Sequence, residues 1–441
     1  MSRFALAGIR LWLAAGVLAI CLVLGGRGPH DPVASAICLL ASLGLFAYEF
    51  ASPGKLAENG HGWAFLLLIA ATLIPILQIV PLPPQLWHQL PGRDLIIETL
   101  NAAGLSADGY HSLTFDSLET SGAVLSMLPA LAMFITVSRL DGRRRQVLLA
   151  VVLAFALVSL STSFLPIGQL FDGLLGRPAR AESSFDGFFA NSNHQADFLL
   201  VAVACCASLQ ATSVFRELPF QIMLALFACI LLLSVLETTS RMGFALVWLV
   251  LFGSLAMIWR ERRGEKSGSM GLIILLAGFL AILAWGASLA LLPRLLARFG
   301  GESSQELRLQ SLPDIIWAIG QYFPAGTGIG TFDQVFRSAE RLDQLSSIYM
   351  NQAHNEYLQV LLEAGLAGGI LLTAALTWFG IGTVLAWRRG DLQARTASIV
   401  LGTYLLHSLV DYPLRTLSHA ALLGMFAAMM PIKRHRVAPI V

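Results

Sequence analysis

Two arginines and one histidine lie at positions where an apolar chain has little reason to hold polar residues. Arg241 falls in a short turn between two apolar runs (ETTSRMGFALV), Arg308 lies in ELRLQSLPDIIW, and His354 opens HNEYLQVLLEAG. An arginine is always charged, and its planar guanidinium matches phosphate oxygens with paired hydrogen bonds. A histidine near a helix N-terminus sits where the helix dipole favours anions. These residues therefore indicate a site for a phosphate-bearing ligand.

Each of these residues also has a simpler interpretation. Arg241 could extend its side chain to lipid headgroups, Arg308 could be a solvated loop charge, and His354 could be a cap or interface residue. In the helix predicted after His354, Glu363 comes nine positions later and half a turn out of phase, so the two should not pair. Glu356 also points away, and both glutamates are predicted to hold the segment in place.

Two further polar groups lie at the ends of apolar runs. The segment HSLVDYPLRT carries His407 and Asp411 on one helix face, followed by Arg415. A metal pair is conceivable, but no third ligand is evident. A hydrogen bond that orients side chains, or a salt bridge between Asp411 and Arg415, is favoured instead. The second group, in FFANSNHQADFLL, consists of Asn191, Asn193 and His194.

Composition identifies the elements that must position these residues. Of 441 residues, 56% are hydrophobic and 13% charged, against about 25% charged in soluble domains. The sequence therefore predicts an all-α, polytopic membrane protein. A net charge of +2 without a basic block excludes the footprint of a nucleic-acid binder. The five cysteines form no CxxC pair and are interpreted as small apolar residues that are buried or face lipid.

Apolar runs of about 20 residues predict twelve spans. If the N-terminus is cytoplasmic, 18 of the 29 Lys and Arg residues fall in short inner loops, as the positive-inside rule requires. Both termini are then cytoplasmic, and the polar residues described above lie outside. The predicted spans are 9–26, 33–50, 62–81, 120–138, 146–165, 194–213, 220–237, 242–259, 270–290, 366–386, 396–411 and 416–432.

The chain is predicted to form one membrane domain over 1–441, with a first outer loop over 82–119 and a large outer loop over 291–365 that carries the site. In the large loop, a short amphipathic helix precedes a turn with Gly326, Gly328 and Gly330. The spacing GxGxG is not the dinucleotide fingerprint, and no βαβ unit surrounds it. These glycines are expected to allow tight turns or close backbone approach.

Several of these motifs resemble the O-antigen ligase and Wzy-type polysaccharide polymerase superfamily. The resemblance is carried by SRMG, by RLQSLPDIIWAIGQYFPAGTGIGTF and by AHNEYLQVLLEAGLAGG, which is similar to the HNxxLQxxxExGxxG signature of that family. NSNH is similar to another family feature. The resemblance covers roughly 185–415, an O-antigen ligase-like region, and is strongest over 308–369.

The resemblance implies a membrane helical bundle that transfers a glycan from a polyprenyl (undecaprenyl) pyrophosphate to an acceptor hydroxyl at the periplasmic face of the bacterial inner membrane. It implies inversion, no cofactor and no metal. Arg241 and Arg308 match the two essential arginines, which hold the pyrophosphate, and His354 matches the essential histidine, a base or orienter. Residues assigned to substrate binding are Asn191, Asn193, His194, Asn355, Asp411 and Arg415.

The implied partners are a lipid-linked glycan donor, a glycan or lipid acceptor, the membrane, and a flippase and a chain-length regulator of the same pathway. HSLVDYPLR looks more like exopolysaccharide polymerases, so polymerisation of repeat units is the leading hypothesis. A ligase acting on lipid A core and a protein O-oligosaccharyltransferase are alternatives. An anion transporter is disfavoured, because the polar residues cluster at one face and no inverted repeat is found.

Overall fold

The computed structural model describes residues 3–52, 61–164, 173, 185–212, 217–263, 308–344 and 350–430. Within these ranges the protein is an all-α, polytopic membrane protein, as predicted. An α-helix pairs its backbone N–H and C=O groups within itself, and a spanning segment needs this because lipid tails offer no hydrogen-bond partners. The helices are α1 Arg3–Leu24, α2 Pro32–Ala51, α3 Gly62–Ile79, α4 Pro84–Trp87, α5 Asp94–Ala102, α6 Ser117–Ser126, α7 Leu128–Ser138, α8 Gly142–Phe164, α9 Ser192–Ala211, α10 Leu218–Glu237, α11 Arg241–Arg262, α12 Leu312–Tyr322, α13 Phe332–Ala339, α14 Glu356–Arg389, α15 Leu392–His407 and α16 Leu417–Ala427. A two-stranded antiparallel ribbon, β1 Pro81–Leu82 and β2 His111–Ser112, lies in the first outer loop.

Nine helical segments of the described residues are long and apolar enough to cross a membrane. They cover the first eight predicted spans and the tenth. The eleventh and twelfth correspond to α15, of 16 residues, and α16, of 11 residues. The ninth, 270–290, lies outside the described residues, as do 291–307 and 345–349 of the large outer loop and the basic residues after 430. The count of twelve therefore stays a prediction.

Helix α9 lies at the centre of the bundle, with every residue from His194 to Leu209 buried. It packs against α8, α10, α11 and α15. The helix can be surrounded because its residues after Asp197 are mostly apolar and many of them are small. Its polar residues therefore face neighbouring helices and not lipid. The five cysteines are all buried, which agrees with their interpretation as small apolar residues.

Helix α14 is broken at Gly365, and at this break its backbone contacts the glycine-rich turn of the large outer loop. Gly365 has a φ of +53° inside a helix that otherwise runs from Glu356 to Arg389. At the break, the amides of Thr327 and Gly328 donate to the carbonyls of Leu362 (3.1 Å) and Glu363 (2.8 Å), respectively. The glycine-rich turn thus replaces hydrogen bonds that the helix cannot make there. This close approach explains the glycines: a Cβ added at position 326 would lie 2.6 Å from the carbonyl oxygen of Glu363.

Replacing Gly365 by alanine is expected to lower the thermal unfolding midpoint. An added Cβ would lie 2.1 Å from the carbonyl oxygen of Pro324, and alanine disfavours the left-handed backbone, so a cost of about 3 kcal/mol is expected. Gly380→Ala is the control, because that position lies in the same helix with open space around it. Intrinsic fluorescence during heating in one detergent compares the variants. Equal midpoints for the two would contradict this account of the break.

Candidate functional site

His354 lies just outside the membrane helix that follows it. Helix α14 begins at Glu356, and Asn355 is its N-cap, with the side-chain oxygen accepting from the amide of Leu358 at 3.1 Å. The phase argument that counted His354 with the helix, nine positions before Glu363, is therefore wrong, because the cap residue between His354 and the helix is extended. His354 itself has a φ of +48°, a conformation that costs a non-glycine residue free energy and tends to occur at functional sites.

Asp411 is the partner of His354. Its carboxylate accepts from Nδ1 of His354 at 3.3 Å and from Nδ2 of Asn193 at 2.5 Å, and its side chain is fully buried. With the amide of Asn193 donating to its other oxygen, Asp411 is placed to act as an acceptor. Nδ1 of His354 then carries the hydrogen of the contact between the two side chains.

Tyr412 separates the two predicted histidines. Its ring centroid lies 4.9 Å from that of His354 and 5.3 Å from that of His194. Burial, with the charge of Asp411, raises the pKa of Tyr412 to about 12. The phenol is therefore neutral at physiological pH. His194 is buried, and among the described residues its Nε2 has no hydrogen-bond partner.

Arg308 reaches the same loop as His354. Its Nη1 donates to the carbonyl oxygen of Val410 at 3.1 Å, one residue before Asp411. Its charge lowers the pKa of Tyr412, against the larger effect of burial. The Nε of Arg308 is buried and has no hydrogen-bond partner within the described part of the chain. Arg308 and His354 thus contact two adjacent residues of one loop, Val410 and Asp411.

Arg241 lies at the same end of the bundle. It is the first residue of α11, after Ser240, whose hydroxyl caps the helix by accepting from the amide of Gly243 at 3.0 Å. Gly243 is packed so closely on Ala196 that an added Cβ would lie 2.8 Å from the Ala196 side chain. Ala196 is in the first turns of α9, near Asn193. The structure therefore places Arg241 beside the helix end that holds Asp411.

Arg415 does not pair with Asp411, which corrects one of the two predicted contacts. Its Nη2 donates to Glu363 at 2.9 Å, because Arg415 closes a 3-10 turn, Pro413–Arg415, that packs against α15 and α16. Asp411 instead accepts from His354 and Asn193, and its helix-face neighbour His407 pairs with Asp197. Glu363 is fully buried and also accepts from the amide of Phe332 at 3.3 Å.

The remaining predicted residues are anchors of the site. Asn191 is the N-cap of α9, with its side chain accepting from the amide of Asn193 at 2.9 Å. The side-chain amide of Asn355 donates to the carbonyl of Leu409 at 3.0 Å. Glu356 accepts from the hydroxyl of Ser408 at 2.5 Å and from the amide of Leu414 at 2.9 Å. The prediction that the two glutamates hold the outer segment in place is confirmed.

Two buried pairs beneath the site were missed by sequence reasoning. Nδ1 of His407 lies 2.6 Å from Oδ1 of Asp197, and the hydroxyl of Tyr404 lies 2.9 Å from Nδ1 of His419. The spacing of Asn193 and Asp197 on α9, equal to that of His407 and Asp411, was a signal that could have found the first pair. Among the described residues no group of three or more His, Cys, Asp or Glu is placed to hold a metal.

The arrangement suits transfer from a phosphate leaving group. A carboxylate fixes the tautomer of one histidine, which leaves Nε2 of His354 able to accept a proton. Arg308 hydrogen-bonds to the loop that holds Asp411, and Arg241 begins α11 at the same end of the bundle. Guanidinium groups at this end can stabilise developing negative charge on phosphate oxygens.

Comparison with known proteins agrees with this chemistry. Residues 224–373, about a third of the chain, match the model of the O-antigen ligase family (Wzy_C). This confirms the superfamily resemblance. It supports an enzyme of the glycosyltransferase type, in the O-antigen ligase and polymerase class, that acts in a membrane on a lipid-linked glycan donor. A search of curated proteins finds no match.

Proposed function

We propose that this chain, which carries an O-antigen ligase-type domain, transfers a glycan from a polyprenyl (undecaprenyl) pyrophosphate to an acceptor hydroxyl. The observation that carries the proposal is the convergence of His354 and Arg308 on the adjacent residues Val410 and Asp411. A base and a phosphate-binding cation are the two groups that this reaction requires.

In the proposed reaction, Nε2 of His354 takes the proton of the acceptor hydroxyl while Asp411 stabilises the imidazolium through Nδ1. The acceptor oxygen forms a bond to the anomeric carbon as the bond from that carbon to the pyrophosphate oxygen breaks. The lipid pyrophosphate leaves with the bonding electrons, and Arg308 and Arg241 stabilise its charge. A single displacement of this kind inverts the anomeric carbon, and none of its steps uses a metal or a cofactor.

The site is proposed to face the periplasm from the bacterial inner membrane, with both termini cytoplasmic. The orientation rests on the distribution of Lys and Arg among the loops. It places the site on the side where a flipped lipid-linked glycan is presented. Polymerisation of repeat units is favoured over ligation to lipid A core, since the loop that carries Asp411 is similar to that of exopolysaccharide polymerases.

Incubation of the purified protein with lipid-linked repeat units alone tests the proposal. Longer lipid-linked chains are expected, and their ladder is expected to persist in EDTA. A product that forms only when a lipid or protein acceptor is added would instead identify a ligase. Absence of any transfer with every acceptor class, in protein that remains folded, would overturn the proposed function.

A further inference from the structure

Two polar contacts join the first turns of α9 to the end of α15 and to the turn that follows it. In the outer contact, Nδ2 of Asn193 donates to Oδ2 of Asp411 at 2.5 Å. In the inner contact, Nδ1 of His407 lies 2.6 Å from Oδ1 of Asp197. Asn193 and Asp197 are four residues apart on one side, as are His407 and Asp411 on the other. The inner contact therefore lies one helical turn below the outer one.

The stability of the fold alone does not account for the inner contact. Both side chains are fully buried, and among the described residues Nε2 of His407 and Oδ2 of Asp197 have no hydrogen-bond partner. A buried charged pair with unpartnered atoms is often no more stable than a well-packed apolar pair. Its value must therefore be sought in what it positions.

The backbone of His407 is hydrogen-bonded to two residues of the candidate site loop. His407 is the last residue of α15, and its carbonyl oxygen accepts from the amides of Val410 at 2.9 Å and Asp411 at 3.0 Å. The carbonyl of Val410 in turn accepts from Arg308. The side chain that Asp197 holds thus belongs to the residue that anchors the turn beneath both Asp411 and Arg308.

We propose that Asp197 and His407 are a positioning pair that sets the orientation of the Asp411 carboxylate toward His354. This inference rests on the proposed function, in which His354 is the base. Neither residue touches the donor or the acceptor. Loss of the pair leaves the fold and donor binding intact, but lets Asp411 turn away from His354 and lowers the rate of transfer.

Three variants of the pair and one control variant test the proposal. His407→Leu removes the contact and is expected to lower kcat by about 10-fold to 100-fold with the donor KM unchanged. His407→Asn keeps a donor at the position of Nδ1 and is expected to recover at least half of the lost rate. Asp197→Ala, which removes the acceptor, should resemble His407→Leu. Ser208→Ala is the control, since Ser208 accepts from Thr396 at 2.8 Å between the same two helices, away from the site.

A double-mutant cycle with Asp411→Asn separates positioning from general damage. If His407 acts through Asp411, adding His407→Leu to Asp411→Asn should change the residual rate by less than about 2-fold. An equal loss in both backgrounds, or a loss equal to that of Ser208→Ala, would overturn the inference. His354→Ala is assayed in parallel, and full transfer by that variant would overturn the proposed function, whatever the cycle shows.

Discussion

Replacement of His354 by asparagine is expected to lower glycan transfer by about 100-fold or more, as much as replacement by alanine. Asparagine places an amide donor where Nδ1 lies and can keep the contact with Asp411. It also tolerates the left-handed backbone at this position, where φ is +48°. What asparagine lacks is Nε2, the atom proposed to accept the proton, and removal of a general base typically costs two to four orders of magnitude, about 100-fold to 10,000-fold.

The two substitutions distinguish a catalytic role of His354 from a structural one. If His354 only held the segment in place, asparagine would restore activity and alanine would not. His88→Ala is a matched control, because His88 lies in the first outer loop, where its Nε2 contacts a backbone carbonyl, that of Ala107. Transfer is measured as lipid-linked product formed per unit time by purified, folded protein. Near-normal transfer by His354→Asn would remove the proposed role of a base.

The membrane fold was predictable from the sequence because length and apolar composition decide which segments can cross a bilayer. The break at Gly365 was not predictable. Three glycines lie in EAGLAGG, and only Gly365 has a positive φ there, because only it meets the carbonyl of Pro324. That contact joins segments far apart in the chain, so no local pattern records it.

The candidate site was partly predictable as well. Residue types singled out His354, Arg308 and Asp411, and the distribution of Lys and Arg among the loops predicted all three on the outer face. Their pairing was not evident, because Asp411 has one candidate partner nearby in sequence, Arg415, and another, His354, that is 57 residues away in sequence but adjacent in space. The carboxylate of Glu363 takes Arg415, which leaves Asp411 for the imidazole. Which of the two buried carboxylates each partner contacts therefore depends on the tertiary arrangement, and a one-dimensional pattern does not contain that information.

Two of the candidate residues lie at helix starts, but with different backbones. His354 has a positive φ (+48°) just before α14, a conformation that costs a non-glycine residue free energy and persists only where the surrounding structure holds it. Arg241 instead begins α11 directly after its cap, Ser240.

Arg308→Ala is expected to lower transfer by about 100-fold to 1,000-fold, the typical effect of removing one group that stabilises transition-state charge. Arg308→Lys should be impaired by less than alanine and remain below the native rate, because lysine keeps the charge and loses the planar fork that matches phosphate. Arg337→Ala is the control: Arg337 lies in the same outer segment, is exposed and pairs with Asp333 one turn away. A lower kcat with little change in donor KM would place the interaction in the transition state. A higher donor KM with unchanged kcat would assign Arg308 to ground-state binding. Native transfer by Arg308→Ala would show that the pyrophosphate is held elsewhere.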